Sequence, residues 1–163
     1  MKYGIKVVCT YLYILENCPK NAIGYADRGR RHNVTNTQPF INKTIFYNNQ
    51  WYIKKNTFPA GRACLCSDWG YHYFKDIFSL LKYGANVGYP PADTDSQDFW
   101  VIEVDDSHPC FETEEKCICK KFRFVKKIPN KDIRNIVDHI TKRKSLIKKL
   151  DIPEELKIKG GNV

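Results

Sequence analysis

Two groups of residues in this sequence are of types that do chemistry in proteins. The first is Tyr71-His72-Tyr73-Phe74, a histidine among aromatic rings, which follows the turn Asp68-Trp69-Gly70 and precedes a short apolar-periodic segment ending at Tyr83. Rings and an imidazole at a strand-to-helix junction suit a small-molecule pocket, because clefts open there and the rings offer flat faces to a ligand. The second group is cysteine. Cys64-Leu65-Cys66 and Cys117-Ile118-Cys119 are two C-x-C pairs, with His108-Pro109-Cys110 close to the second. On strands, residues i and i+2 share a face, so two such strands could present four thiolates to a structural zinc. Structural zinc sites, however, place about two to four residues between paired cysteines so that a turn wraps the ion. The pairs read instead as small buried hydrophobes, and no metal site is expected.

Leu80-Leu81-Lys82-Tyr83-Gly84-Ala85-Asn86-Val87 looks like the end of an ankyrin repeat. That architecture stacks at least about three units of roughly 33 residues, and no such period recurs. Seven cysteines are an odd number. The N-terminal apolar run holds Thr10 and two tyrosines and is followed by no small-x-small cleavage site, so secretion is not expected and the thiols should be reduced. No run approaches the roughly 18 apolar residues of a membrane span, so no membrane association is expected.

The net charge of +9 is unevenly placed. From Asp93 to Glu115 there are nine acids and no Lys or Arg, whereas from Lys116 to Leu150 thirteen Lys and Arg face two acids. A basic C-terminal third steers a protein toward nucleic acid, anionic lipid or an acidic protein surface, and two opposite poles also allow self-association head to tail. The basic residues Lys142, Arg143, Lys144, Lys148 and Lys149 are the expected contact patch, at a helix C-terminus where cations are favoured even without a partner.

These residues must be positioned by short elements. Ile5 to Leu15 is β-branched and aromatic and predicts a strand, and Pro19 to Gln38 predicts a long exposed loop. Thr44 to Lys54 predicts a β-hairpin, two aromatic pairs across an Asn-rich turn. Arg62 to Cys66 predicts a short strand, Asp76 to Tyr83 a short helix and Phe99 to Val104 a strong strand. In the strand system from Lys116 to Ile128, Phe122, Phe124 and Ile128 are expected on one face, with Lys121 and Arg123 on the other. A basic helix over 130–150, capped by Asn130, is expected from Ile133, Ile136, Val137, Ile140, Leu146, Ile147 and Leu150. Pro153 ends it, leaving 151–163 as a tail. The fold class is α+β: one small domain over residues 1–163, of short antiparallel strands with a short internal helix and a long C-terminal helix.

Leu65-Cys66 and Gly70-Tyr71-His72, followed by the helical segment 77–83, the strand Trp100-Val101-Ile102-Glu103-Val104 and the strand 121–128, resemble a pattern of uncharacterised phage and giant-virus proteins. That pattern runs L-C-x-x-G-[FY]-H, short helix, strand with Glu-Val, acidic stretch, closing strand. It covers about the middle half of the chain, with one extra residue between Cys66 and Gly70. The resemblance implies a viral or phage accessory protein of the host cytoplasm or virion. More distantly, Gly70-Tyr71-His72-Tyr73-Phe74-Lys75-Asp76 and Lys82-Tyr83 resemble a segment of ADP-ribosyltransferase-like domains. That resemblance implies NAD as ligand and an ADP-ribosyltransferase-like fold. Tyr73 would stack on nicotinamide beside Tyr71 and His72, Tyr83 would flank it, and Glu114 or Glu115 would contact the ribose. A carboxylate there would stabilise the oxocarbenium charge that develops as the glycosidic bond breaks. The expectations are thus a transferase-like fold that binds NAD or another nucleotide, or a non-enzymatic basic protein that binds nucleic acid or an acidic partner, or a virion component.

Overall fold

A computed structural model describes residues 1–10, 21–26, 44–55, 69–84, 97–114 and 116–160. The larger of two sheets contains β1 (Lys2–Cys9), β2 (Ala22–Ala26), β3 (Thr44–Tyr47), β4 (Trp51–Ile53), β6 (Gln97–Val104) and β9 (Lys121–Ile128), in the order β3-β2-β1-β6-β9-β4. The smaller contains β5 (Tyr71–Tyr73), β8 (Cys117–Cys119) and β7 (Cys110–Glu112), in the order β5-β8-β7. Every pairing is antiparallel.

The order of the larger sheet forces it to roll. Its two edge strands, β3 and β4, are consecutive in sequence and joined through Asn48, Asn49 and Gln50. In a flat sheet the edges would stand about 24 Å apart, five gaps of about 4.8 Å. Four Cα links from Tyr47 to Trp51 reach only about 14 Å. The edges therefore curl toward each other, and Asn49 takes the left-handed conformation (φ 62°) that Asn tolerates in tight turns. Across the seam the Tyr47 backbone N–H donates to Tyr52 Oη at 2.5 Å, and the Phe46 and Tyr52 rings meet edge-on at 5.1 Å.

Alternation along the strands gives the rolled sheet two cores. On the concave side Val8, Phe46, Tyr52, Ile102, Val104, Phe122 and Phe124 pack with Tyr73, Cys117 and Cys119 from the smaller sheet. The smaller sheet is fastened to β1 by reciprocal backbone hydrogen bonds between Ile5 and Phe74, at 2.8 and 2.7 Å. Glycine is required at position 4, where a Cβ would lie 2.5 Å from the Tyr73 ring. On the convex side Ile5, Phe99, Val101 and Ile128 pack under a helical layer: α1 (Ile77–Ser79, continuing as a π-helical turn over Leu80–Gly84), α2 (Asn130–Asp138), α3 (Arg143–Lys148) and short 3-10 turns. Asp76 is fully buried; its Oδ1 accepts from Ser79 N–H at 2.7 Å, capping α1, and its Oδ2 accepts from Gly160 N–H at 3.0 Å.

The α+β class with a short internal helix is as expected. Five local expectations are corrected. First, there is no continuous helix over 130–150: His139 leaves helical geometry (φ −121°, ψ 72°), and a 3-10 turn over Ile140–Lys142 separates α2 from α3. The apolar stripe has no member between Ile140 and Leu146, and the break turns Ile147 and Leu150 back onto the core while leaving Ile140 72% exposed. Second, β3 and β4 are not paired as a hairpin; β3 pairs β2 and β4 pairs β9. Third, Ile128 faces the convex core and Phe122 and Phe124 the concave one. A bulge opposite Val101 and Ile102 inserts Val125 and reverses the alternation. Fourth, the Asn130 side chain makes no cap; its amide donates to Gln97 O at 3.2 Å and Asp98 Oδ1 at 3.1 Å, tying α2 to β6. Fifth, Ala22–Ala26, inside the expected loop, is a strand. The tail is not loose where described, since Ile152 and Leu156 are buried in the convex core. The expected strand at Arg62 to Cys66 and residues 11–15 of the first strand lie outside the described residues.

Candidate functional site

β5 decides the fate of the aromatic cluster. It pairs with β8 in the register Tyr71↔Cys119, His72↔Ile118 and Tyr73↔Cys117. Alternation sends Tyr71 and Tyr73 toward the concave core, where the Tyr71 ring meets Phe122 at 5.0 Å, and leaves His72 on the opposite face. Tyr73 is 2% exposed, and its hydroxyl donates to Glu112 Oε1 at 2.9 Å. Burial pushes this phenol far above its ordinary range. Burial also pushes the Glu112 carboxyl up, but hydrogen bonds from Lys2 and Tyr73 outweigh it and hold the group below its ordinary value. The carboxylate beside Tyr73 is thus Glu112. Glu114 is exposed and outside this contact, and Glu115 lies outside the described residues. The backbone of Tyr83 ends in the π-helical turn, while its side chain lies outside the described atoms. Nothing local in the sequence marks Glu112, because it reaches Tyr73 only through the β7-β8-β5 register.

Three lysines hold the approach to β5. Lys6 Nζ donates to His72 O at 2.7 Å, Lys54 Nζ to Gly70 O at 3.2 Å, and Lys120 Nζ to Trp69 O. Lys6 is only 5% exposed and lies over the rings of Phe122 and Phe46 at 5.3 and 5.4 Å. Lys54 lies 4.7 Å from the centre of the Tyr71 ring and Lys120 4.3 Å from that of Trp69. A buried ammonium is tolerable only with such acceptors and ring faces around it. The carbonyls of Trp69, Gly70 and His72 and the rings of Trp69 and Tyr71 are thus engaged within the fold.

β8 is buried along its whole length, with Cys117 and Cys119 sharing the face that packs into the concave core. Burial pushes the Cys117 thiol up to about 11 and that of Cys119 to about 12, and raises Cys110 as well. Thiols so raised are less nucleophilic at neutral pH than a free cysteine. Among the described residues no three His, Cys, Asp or Glu side chains converge to hold a metal, and Cys64 and Cys66 lie outside them.

Part of the two charge poles of the sequence meets across the larger sheet. Acidic β6 runs antiparallel beside basic β9, giving Arg123–Glu103 at 2.7 Å and Lys127–Asp98 at 3.2 Å, while Lys121 reaches Asp105 just beyond β6 at 3.1 Å. Lys126 pairs with Asp151 after α3, and Lys2 with Glu112 at 2.5 Å. The Asp105 carboxyl is held well below the usual range by the Ser107 hydroxyl and by Lys121. Of the five expected contact residues, Lys142, Lys144, Lys148 and Lys149 are exposed, and among the described residues no ion pair involves them. Arg143 is different: half-buried, it donates from Nε to the Ile136 carbonyl at 3.2 Å, closing the end of α2.

Sequence reasoning missed one further arrangement, a groove at Trp51 beside the β3–β4 turn. Its residues are scattered over four strands, so no spacing could have marked them. Comparison with protein-family models, with curated proteins and with solved structures returns no match. No helix among the described residues is long and apolar enough to cross a membrane.

Proposed function

We propose that this protein binds nucleic acid through its phosphate backbone, using the exposed lysines of the helical layer. The observation that supports this reading is where the surplus of the +9 charge comes to rest. On β9, Lys121, Arg123, Lys126 and Lys127 are each met by a carboxylate, so the sheet is close to neutral there. Lys142, Lys144, Lys148 and Lys149 form no ion pair among the described residues and share the solvent side of the segment whose other side carries Ile147 and Leu150. A cluster of hydrated ammonium groups displaces condensed counterions from a polyphosphate, a gain that is independent of base sequence. The NAD reading draws no support from Tyr73 and His72, which lie on opposite faces of β5, the first inside the core.

The test is anisotropy of a labelled oligonucleotide titrated with the full chain at several salt concentrations. Four phosphate contacts imply a slope of log K on log salt of about −3 to −4, on the order of a hundredfold between about 50 and 200 mM. Reversing Lys142, Lys144, Lys148 and Lys149 to Glu abolishes binding while leaving the urea midpoint nearly unchanged. A wild-type chain that binds no oligonucleotide at about 50 mM salt, or a reversed chain that binds as well, removes the reading.

A further inference from the structure

We infer that the groove at Trp51 seats an unpaired base, making a single strand the preferred nucleic acid; this rests on the reading above and adds to it a site on the sheet. Tyr3, Glu103, Arg123 and Trp51 are successive cross-strand neighbours on β1, β6, β9 and β4, so they form one row across the sheet. Tyr52, next in line to Trp51, points into the concave core, which places Trp51 on the convex side with the helical layer.

Along this row an open groove of about 500 Å³ is floored by the four side chains and bounded by Asn49 and Gln50 of the turn. That volume lies within the range of about 300–1,000 Å³ of small-ligand pockets. The chemistry of the lining is specific. The Arg123 guanidinium is held by Glu103, with Nε at 2.8 Å and Nη2 at 2.7 Å from Oε2, and stands 4.8 Å from the Trp51 ring centre. Lys121 approaches the same ring at 4.9 Å. With Arg123 and Lys121 over the indole and an amide turn at its edge, the groove offers a planar base a cation–aromatic stack to extend and both donors and acceptors for its rim.

The groove is also joined to the lysines. One step along β9 beyond the exposed bulge residue Val125, Lys126 pairs with Asp151, which follows the Lys148-Lys149-Leu150 end of the helical layer. A strand crossing from those lysines toward Trp51 would thus follow one face of the molecule. A duplex keeps its bases stacked and paired and cannot offer one to the indole, whereas a single strand can. Phosphate contacts alone would not tell the two apart.

The experiment compares an oligo(dT) of about twelve nucleotides with a duplex of the same length, within the site sizes of about 4–16 nucleotides typical of single-strand binders. The wild-type chain prefers the single strand. Trp51→Ala lowers single-strand affinity about tenfold or more and leaves duplex affinity within about twofold, and Trp51→Phe restores most of the loss. Gln50→Glu, on an exposed turn away from both cores, lowers single-strand affinity more than duplex affinity. The proposal is overturned if Trp51→Ala weakens both forms equally or neither, and also if a neutral oligosaccharide displaces the oligo(dT) from the groove. Each reading fails separately. Loss of all binding on lysine reversal, with no strand preference altered at Trp51, removes the groove and keeps the lysines. Oligo(dT) quenching of the Trp51 fluorescence that survives lysine reversal keeps the groove and removes the lysines.

Discussion

Tyr73 is almost wholly buried, and a buried hydroxyl without a partner costs on the order of 1–3 kcal/mol. Glu112 removes that cost by accepting from it, and Lys2 keeps the carboxylate ionised. The consequence is a pH dependence of definite sign. The folded carboxyl titrates below its ordinary 4.5, so its contribution is complete above that value and is lost as pH falls through the folded value. Glu112→Gln retains an acceptor for Tyr73 but does not titrate. Its urea midpoint is expected to lie below that of the wild type near pH 7, with the gap closing between about pH 5 and pH 3. A gap that stays constant across that window would show that Glu112 gains nothing from ionisation in the fold.

At the scale of the element, the break at His139 separates two readings of one apolar stripe. In a continuous helix Ile140 would share the buried face with Ile136 and Ile147, because the three recur at helical spacing. In the broken segment Ile136 is fully buried, Ile147 nearly so, and Ile140 projects into solvent. Ile136→Ala and Ile147→Ala are therefore expected to cost about 2–5 kcal/mol each, since both leave cavities under α2 and α3. Ile140→Ser should change stability by less than about 0.5 kcal/mol. Equal losses at the three positions in chemical denaturation would restore the continuous helix. The Arg143 contact with the Ile136 carbonyl explains how the break is tolerated, because it satisfies an acceptor that the interrupted helix leaves open.

For the whole molecule, the distribution of ion pairs predicts which cations a polyanion can use. Lys127 is engaged by Asp98 on the neighbouring strand, whereas Lys144 stands exposed with no acidic partner among the described residues. A cation already neutralised inside the fold releases few counterions on binding; an unpaired one releases them fully. Lys144→Gln is therefore expected to reduce the salt slope of oligonucleotide binding by about 1, and Lys127→Gln to leave it nearly unchanged. Equal effects would mean that the polyanion breaks the cross-strand pairs and reads the sheet as well. The same pairing bears on self-association, because two of the nine acids of the expected negative pole, Asp98 and Glu103, are occupied by β9.

The sequence by itself determined the local features of this protein. The α+β class, the strand at Phe99–Val104, strand structure within Lys116–Ile128, the apolar role of Cys117 and Cys119, and the short helix begun at Asp76 follow from alternation and helical spacing within about ten residues. The tertiary structure decided which strand lies beside which. Whether Thr44–Tyr47 and Trp51–Ile53 form a hairpin or the two edges of a rolled sheet depends on whether β2 and β9 offer them longer-range partners. The single extra residue at Val125 reverses the facing of everything after it on β9. Two blocks of opposite charge look like separate poles in a linear chain, yet Asp98 and Glu103 of one meet Lys127 and Arg123 of the other once β6 and β9 are antiparallel neighbours. Tyr3, Trp51, Glu103 and Arg123 have no common spacing and meet only through three strand registers. The physical reason is the same in each case. Propensity and periodicity act through neighbours along the chain, whereas register and ion pairing are settled by which distant segment buries the most apolar surface and leaves the fewest polar groups unmatched.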